Sequence, residues 1–120
     1  MLDLNSVMIG TRQLKVMADF YAKVLGKPAD MVDESAGFAG WQTGSFYFSI
    51  LEHSEMGGKT KDPGRVMLNF DTQQVKEEFE RIKALGATVI REPFSMEGEE
   101  GLIATLADPD GNYFQLITPM

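Results

Sequence analysis

The strongest constraint on how this chain can fold is that its pattern runs twice. Val7-Met8 is echoed by Val66-Met67 and Phe20 by Phe79, each 59 residues on, and Leu25-Gly26 recurs one residue out of step as Leu85-Gly86. Ordered self-similarity of this kind marks two copies of one supersecondary unit, each too small to bury a hydrophobic face alone. The chain has 120 residues, and single domains most often run to roughly 100–150. Both copies therefore belong to one domain.

Each copy opens with a short apolar run, Leu4 to Ile9 and Arg65 to Phe70, whose alternating residues suit a strand. Helical spacing follows, with Leu14, Met17, Phe20, Tyr21, Val24 and Leu25 in the first copy and Val75, Phe79, Ile82 and Leu85 in the second. Asp71 and Gln74 form a capping-box-like start to the second helix. Gly26 and Gly86 stand where a left-handed C-terminal cap relieves strain, and Pro28 blocks continuation of the first helix. β-prone stretches come next, at about 30–34, 38–43 and 45–52, then about 88–93, 101–107 and 112–118. Gly37, Gly44, Pro93 and the turn Asp108-Pro109-Asp110-Gly111 separate them. The expected fold is α+β, two βαβββ modules with one helix each on the outside. Module 1 spans about 1–54 and module 2 about 65–120; the stretch at 55–64, without apolar period, reads as a linker or mobile loop. Two helices cannot cover both faces of eight strands, so one sheet face should line a cleft.

Composition narrows function by exclusion. Eighteen acidic against eleven basic residues give a formal charge of −7, a field that repels phosphate backbones and anionic lipid surfaces. Nucleic acid and membrane are not expected partners. There is no cysteine and a single histidine, His53, which excludes thiolate chemistry and any site needing two imidazoles. The start lacks a basic segment followed by an apolar one, and no run of roughly 18 apolar residues occurs. A cytoplasmic protein is expected.

Phe20-Tyr21, Leu25-Gly26, Pro63-Gly64 and Asp108-Pro109-Asp110-Gly111-Asn112 together resemble the vicinal oxygen chelate superfamily, which includes glyoxalases, bleomycin-resistance proteins and extradiol dioxygenases. The resemblance covers essentially the whole chain. It implies curved sheets of paired modules around a cleft, usually in a homodimer. In metal-using members, histidine and glutamate ligands stand on the first and last strands of each module. Position by position these fall here on Ser6, on Arg65, on Gln115, and on Phe48 or Ser49. A divalent cation wants carboxylate and imidazole donors, and Arg65 would oppose it. No cofactor is expected; a divalent metal would enter only if this register is wrong.

If Ser6, Arg65 and Gln115 take those positions, strand alternation puts Met8, Met67, Asn69, Tyr113 and Ile117 on the same, cleft-facing side. Val7, Ile9, Val66, Leu68, Phe70, Phe114 and Leu116 then face the helices. Trp41 and Tyr47 are candidates to stack on a planar ligand, with core packing as the rival for each. Arg65 could clamp a carboxylate, phosphate or enolate, or simply pair with one of the many acids or lie at a subunit contact. His53 could act as a general base or be a loop histidine. Gln115 could orient a substrate through its amide or be a satisfied polar residue. Glu97, Glu99 and Glu100 form an acidic loop that could draw a cation or simply be solvated. The leading reading is a metal-free small-molecule-binding protein. The alternatives are a lactoylglutathione lyase-like lyase or isomerase with Arg65 and His53 as catalytic candidates, and a dimeric interaction module with a vestigial cleft.

Overall fold

The computed structural model describes residues 2–95 and 100–119. They form two compact units that divide between Gly58 and Lys59, each a four-stranded mixed sheet with one helix. In the first unit β1 (Ser6–Thr11) leads into α1 (Leu14–Leu25), then β2 (Met31–Asp33), β3 (Phe38–Thr43) and β4 (Phe46–Glu52). The sheet order is β1-β4-β3-β2, with β1 parallel to β4 and the other neighbours antiparallel. The second unit repeats the plan with β5 (Leu68–Asp71), α2 (Val75–Ala84), β6 (Thr88–Phe94), β7 (Ile103–Ala107) and β8 (Tyr113–Ile117), in the order β5-β8-β7-β6. The expected βαβββ modules are therefore present. No helix among the described residues is long and apolar enough to cross a membrane.

Each core lies between one helix and one sheet face. α1 buries Met17, Tyr21 and Val24 and packs on β3 and β4, whose Ala39, Trp41, Phe48 and Ile50 are buried. Tyr21 meets Phe48 edge-on at 4.8 Å between ring centroids, and Trp41 lies 5.7 Å from Phe48, within the range where aromatic pairs add to simple burial. α2 buries Val75, Phe79 and Ile82 against β6, β7 and β8. Ala104, Leu106, Phe114 and Leu116 are buried there.

Both helices start by one device that the strand repeat does not reveal. Thr11 Oγ1 accepts the Gln13 N–H at 3.0 Å, and Thr72 Oγ1 accepts the Gln74 N–H at 3.0 Å. Asp71 is not a capping residue: it ends β5, opposite Ile117, and the N-cap position is Gln74 with no side-chain cap bond. The Thr-x-Gln pairs stand 61 residues apart rather than 59. The ladders agree, since Val7 pairs with Phe48 and Leu68 with Phe114. The second module is thus offset by two residues from the spacing of Val7-Met8 and Val66-Met67. A shift of two preserves the face of every side chain, but it leaves Arg65 and Val66 outside the strand expected to begin with them.

The connecting stretch is tied down on both sides of the division. His53 N–H donates to Thr11 O at 2.7 Å and Met56 N–H to His53 O at 3.1 Å; beyond Gly58, Thr60 N–H donates to Asp110 O at 3.0 Å.

Candidate functional site

In each unit the face away from the helix is where chemistry can be displayed. Cross-strand partners share a face, so the ladders sort the candidates directly. In the first unit Met8, Ser49, Gly40 and Met31 form one row across β1, β4, β3 and β2. Ser6, Tyr47 and Gln42 form the row beside it. Ser49 is 3% exposed, and its hydroxyl donates to Val7 O at 3.4 Å. Met8 and Met31 are exposed. Gly40 has a steric reason: a Cβ there would overlap the Tyr47 phenol, so the glycine lets the ring lie down on the strand.

Two expected ligand-binding residues are core instead. Phe48 is opposite Val7 and Trp41 on the helix side, and both aromatic residues are almost wholly buried. The Trp41 indole N–H donates to Lys27 O at 3.1 Å, satisfying its one polar atom. Parity therefore selects Ser49 over Phe48 for the open face. The hairpin through Gly44 and Ser45, with Gly44 at φ 60°, fixes that parity for Trp41 too.

In the second unit the corresponding row is Asn69, Gln115, Thr105 and Arg91. Gln115 Nε2 donates to Thr105 Oγ1 at 3.2 Å, which leaves its second N–H and its carbonyl oxygen for other partners. Asn69 is exposed and Tyr113 half-buried. Met67 is 40% exposed and precedes β5. Beside this row run Ile117, Ile103 and Phe94, with Asp71 at the β5 end.

Arg65 is not on a strand. Its N–H donates to Asp62 O at 3.1 Å, its side chain is 78% exposed, and its guanidinium pairs with Asp62 at 3.8 Å. Together with Lys61, Pro63, Gly64 and Tyr113 these residues line a shallow depression. At that exposure the pair is screened and weak. His53 is exposed, and its Nδ1 accepts the Glu55 N–H at 3.1 Å, a turn contact. Glu100 is exposed; Glu97 and Glu99 lie outside the described residues.

The four positions where metal-using members of the resembled superfamily carry ligands do not suit a divalent cation. With the offset of 61 the counterpart of Ser6 moves from Arg65 to Met67, so they offer two hydroxyls, one amide and a thioether, none of them the carboxylate or imidazole a divalent cation wants. Among the described residues no three His, Cys, Asp or Glu side chains converge.

The Asp108–Asn112 turn is structural. Asp108 is 3% exposed; its Oδ1 accepts the Asp110 N–H at 2.9 Å and the Asn112 N–H at 3.0 Å, and Asn112 Nδ2 donates to Oδ2 at 3.0 Å. Gly111 takes φ 85°, where a side chain would be strained.

A glyoxalase-like domain family model matches residues 6–117. Among curated proteins, the lactoylglutathione lyase of Arabidopsis thaliana is 32% identical over 107 residues, which cover 82% of this chain and 38% of that protein. The chain thus spans about two-fifths of that relative's length. A glyoxalase/bleomycin resistance protein/dioxygenase family enzyme from Burkholderia phytofirmans PsJN superposes with a TM-score of 0.76 at 27% identity, covering 99% of this chain and 100% of that one. A glyoxalase-related enzyme from Fulvimarina pelagi shares the fold, with a TM-score of 0.81 at 20% identity over 99% of this chain and 89% of that one. With nearly its full length matched by one family model and its paired βαβββ units shared with these structures, the chain belongs to the glyoxalase-like domain family of the vicinal oxygen chelate superfamily.

Proposed function

We propose that this protein binds a small organic ligand without a metal, on the sheet faces turned away from its helices. The observation that carries this reading is the row Asn69, Gln115, Thr105 and Arg91. It is a hydrogen-bonding surface with one cation, at the level where metal-using relatives place a carboxylate ligand. Amide, hydroxyl and guanidinium groups orient oxygenated ligands and give a divalent cation little to hold. The same reading expects a homodimer, to which exposed Leu2, Leu4 and Val66 offer apolar surface.

A second reading, a lyase acting on lactoylglutathione, draws support from the 32% identity to the Arabidopsis enzyme. One experiment weighs the two. Chelator-treated protein is screened by thermal shift against small oxygenated metabolites, in parallel with Gln115→Leu, and both are assayed for turnover of lactoylglutathione with and without added metal. Stabilisation that needs no metal and is lost in Gln115→Leu is the expected result. Metal-dependent turnover of lactoylglutathione would put the lyase first.

A further inference from the structure

We propose that the open face of the second sheet is a subsite for a carboxylic acid that carries a hydrogen-bond donor on the carbon beside the carboxylate, together with an apolar substituent. This inference rests on the metal-free binding reading and names the ligand class.

Arg91 stands in β6 two residues after Val89, which pairs with Leu106 on the helix side, so simple alternation would turn Arg91 to the helix as well. Register shifts on both sides, between Val89 and Arg91 and between Arg91 and Phe94, instead set Arg91 opposite Thr105. Bulges re-aim side chains in this way and are enriched beside functional sites. Pro93 is tolerated because β6 is the sheet edge.

The guanidinium is then fixed. Its central carbon lies 3.7 Å from the centre of the Phe94 ring, a cation–π stack that orders the side chain while leaving its N–H groups for an anion. Among the described residues no carboxylate pairs with it.

Gln115 supplies the second contact. One of its two Nε2 hydrogens goes to Thr105, and Oε1 is the atom with which it accepts from a ligand's donor. β8 and β6 flank β7, and two strand spacings put their backbones about 10 Å apart, the width that the two side chains and a small acid between them have to fill. Ile117, Ile103 and Phe94 run alongside on the same face, and the row ends in the exposed Asp71 on β5, at the sheet edge opposite to that of Arg91. A carboxylate on Arg91, an N–H or O–H on Gln115 and an apolar group on the isoleucines together describe 2-amido and 2-hydroxy acids with a hydrophobic side group.

The probe is N-acetylphenylalanine, titrated into isotopically labelled, chelator-treated protein and followed through the Gln115 side-chain amide and the Arg91 Nε–H resonances. Saturable shifts at both are expected. Affinity should fall about tenfold or more in Arg91→Met, as befits loss of a charge-assisted hydrogen-bond pair, and comparably when N-acetylphenylalaninamide replaces the acid. The acid 3-phenylpropionate, which lacks the donor, should bind more weakly than N-acetylphenylalanine, and that difference should vanish in Gln115→Leu. Arg91 is exposed, so its variant keeps the fold, which the dispersion of the same spectra verifies. Equal binding of acid and amide, unchanged affinity in Arg91→Met, or no saturable shift would overturn the subsite. The titration is repeated with Ni²⁺ present. Binding that requires the metal would overturn the metal-free reading and this inference together, whereas metal-independent binding indifferent to Arg91 would overturn this inference alone.

Discussion

The two units share a topology and differ in what they display. Both put aromatic and aliphatic residues between helix and sheet: Trp41, Phe48 and Ile50 in one, Leu106, Phe114 and Leu116 in the other. On the opposite face the first unit shows Met8, Ser49, Gly40 and Met31 with a recumbent Tyr47, flexible and mostly apolar. The second shows Asn69, Gln115, Thr105 and Arg91, polar and cationic. One face of the pattern is dictated by burial and repeats; the other is free to diverge, and that is where we place the proposed binding chemistry.

If that division holds, helix-side truncations should cost about the same in either unit. Trp41→Ala and Phe114→Ala should each lose about 3–5 kcal/mol in urea denaturation, the usual penalty for emptying an aromatic core position. A large asymmetry between them would break the comparison at its base.

The hairpins sharpen it. The first unit turns through Gly44 and Ser45, while the second uses five residues organised by the buried Asp108 carboxylate. Asp108→Ala, which orphans several donors at once, should cost about 2–3 kcal/mol. Gly44→Ala, forced into the left-handed region at φ 60°, should cost about 1–2 kcal/mol. Both are measurable by chemical denaturation.

Gly40→Ala probes the open face of the first unit. The new Cβ must displace the Tyr47 ring, and overpacking of this kind costs about 1–3 kcal/mol. Tyr47 side-chain resonances should move while those of Trp41, on the other face, stay put.

The smallest expected effect is a pH dependence in the first unit. Asp30 Oδ2 accepts the Gln42 N–H at 2.6 Å and pairs with Lys27 at 2.9 Å. The Gln42 N–H first, then Lys27, hold this carboxyl below its ordinary value. A carboxyl depressed in the folded state stabilises above its unfolded pKa, near 3.9, and that stabilisation fades as pH falls through the lower folded value. Asp30→Asn should therefore flatten the stability profile below about pH 4 and leave it unchanged in slope near neutrality.

Much of this was legible in the sequence. Period-2 and helical spacing place all eight strands and both helices, and the alternation of Val7, Ile9, Phe114 and Leu116 assigns their faces. What was hidden has identifiable causes. The strand dipeptides Val7-Met8 and Val66-Met67 give an offset of 59, whereas Thr11-x-Gln13 and Thr72-x-Gln74 carry the structural offset of 61; reading the Thr-x-Gln pair would have kept Arg65 off the strand. Trp41 could not be assigned before the Gly44 turn fixed the hairpin register. Arg91 was unreadable because the register shift between Val89 and Arg91 inverts its parity, and such a shift leaves no mark in a binary pattern.

The central claim is that ligand recognition here proceeds without a bound metal. It is tested most directly by the metal content of purified, untagged protein, measured by inductively coupled plasma mass spectrometry after incubation with Ni²⁺, Zn²⁺, Mn²⁺ and anaerobic Fe²⁺ and then desalting. The residues at the four positions predict that no metal is retained beyond trace. Stoichiometric retention of any of them, abolished by substitution at Ser6, Ser49 or Gln115, would contradict the account.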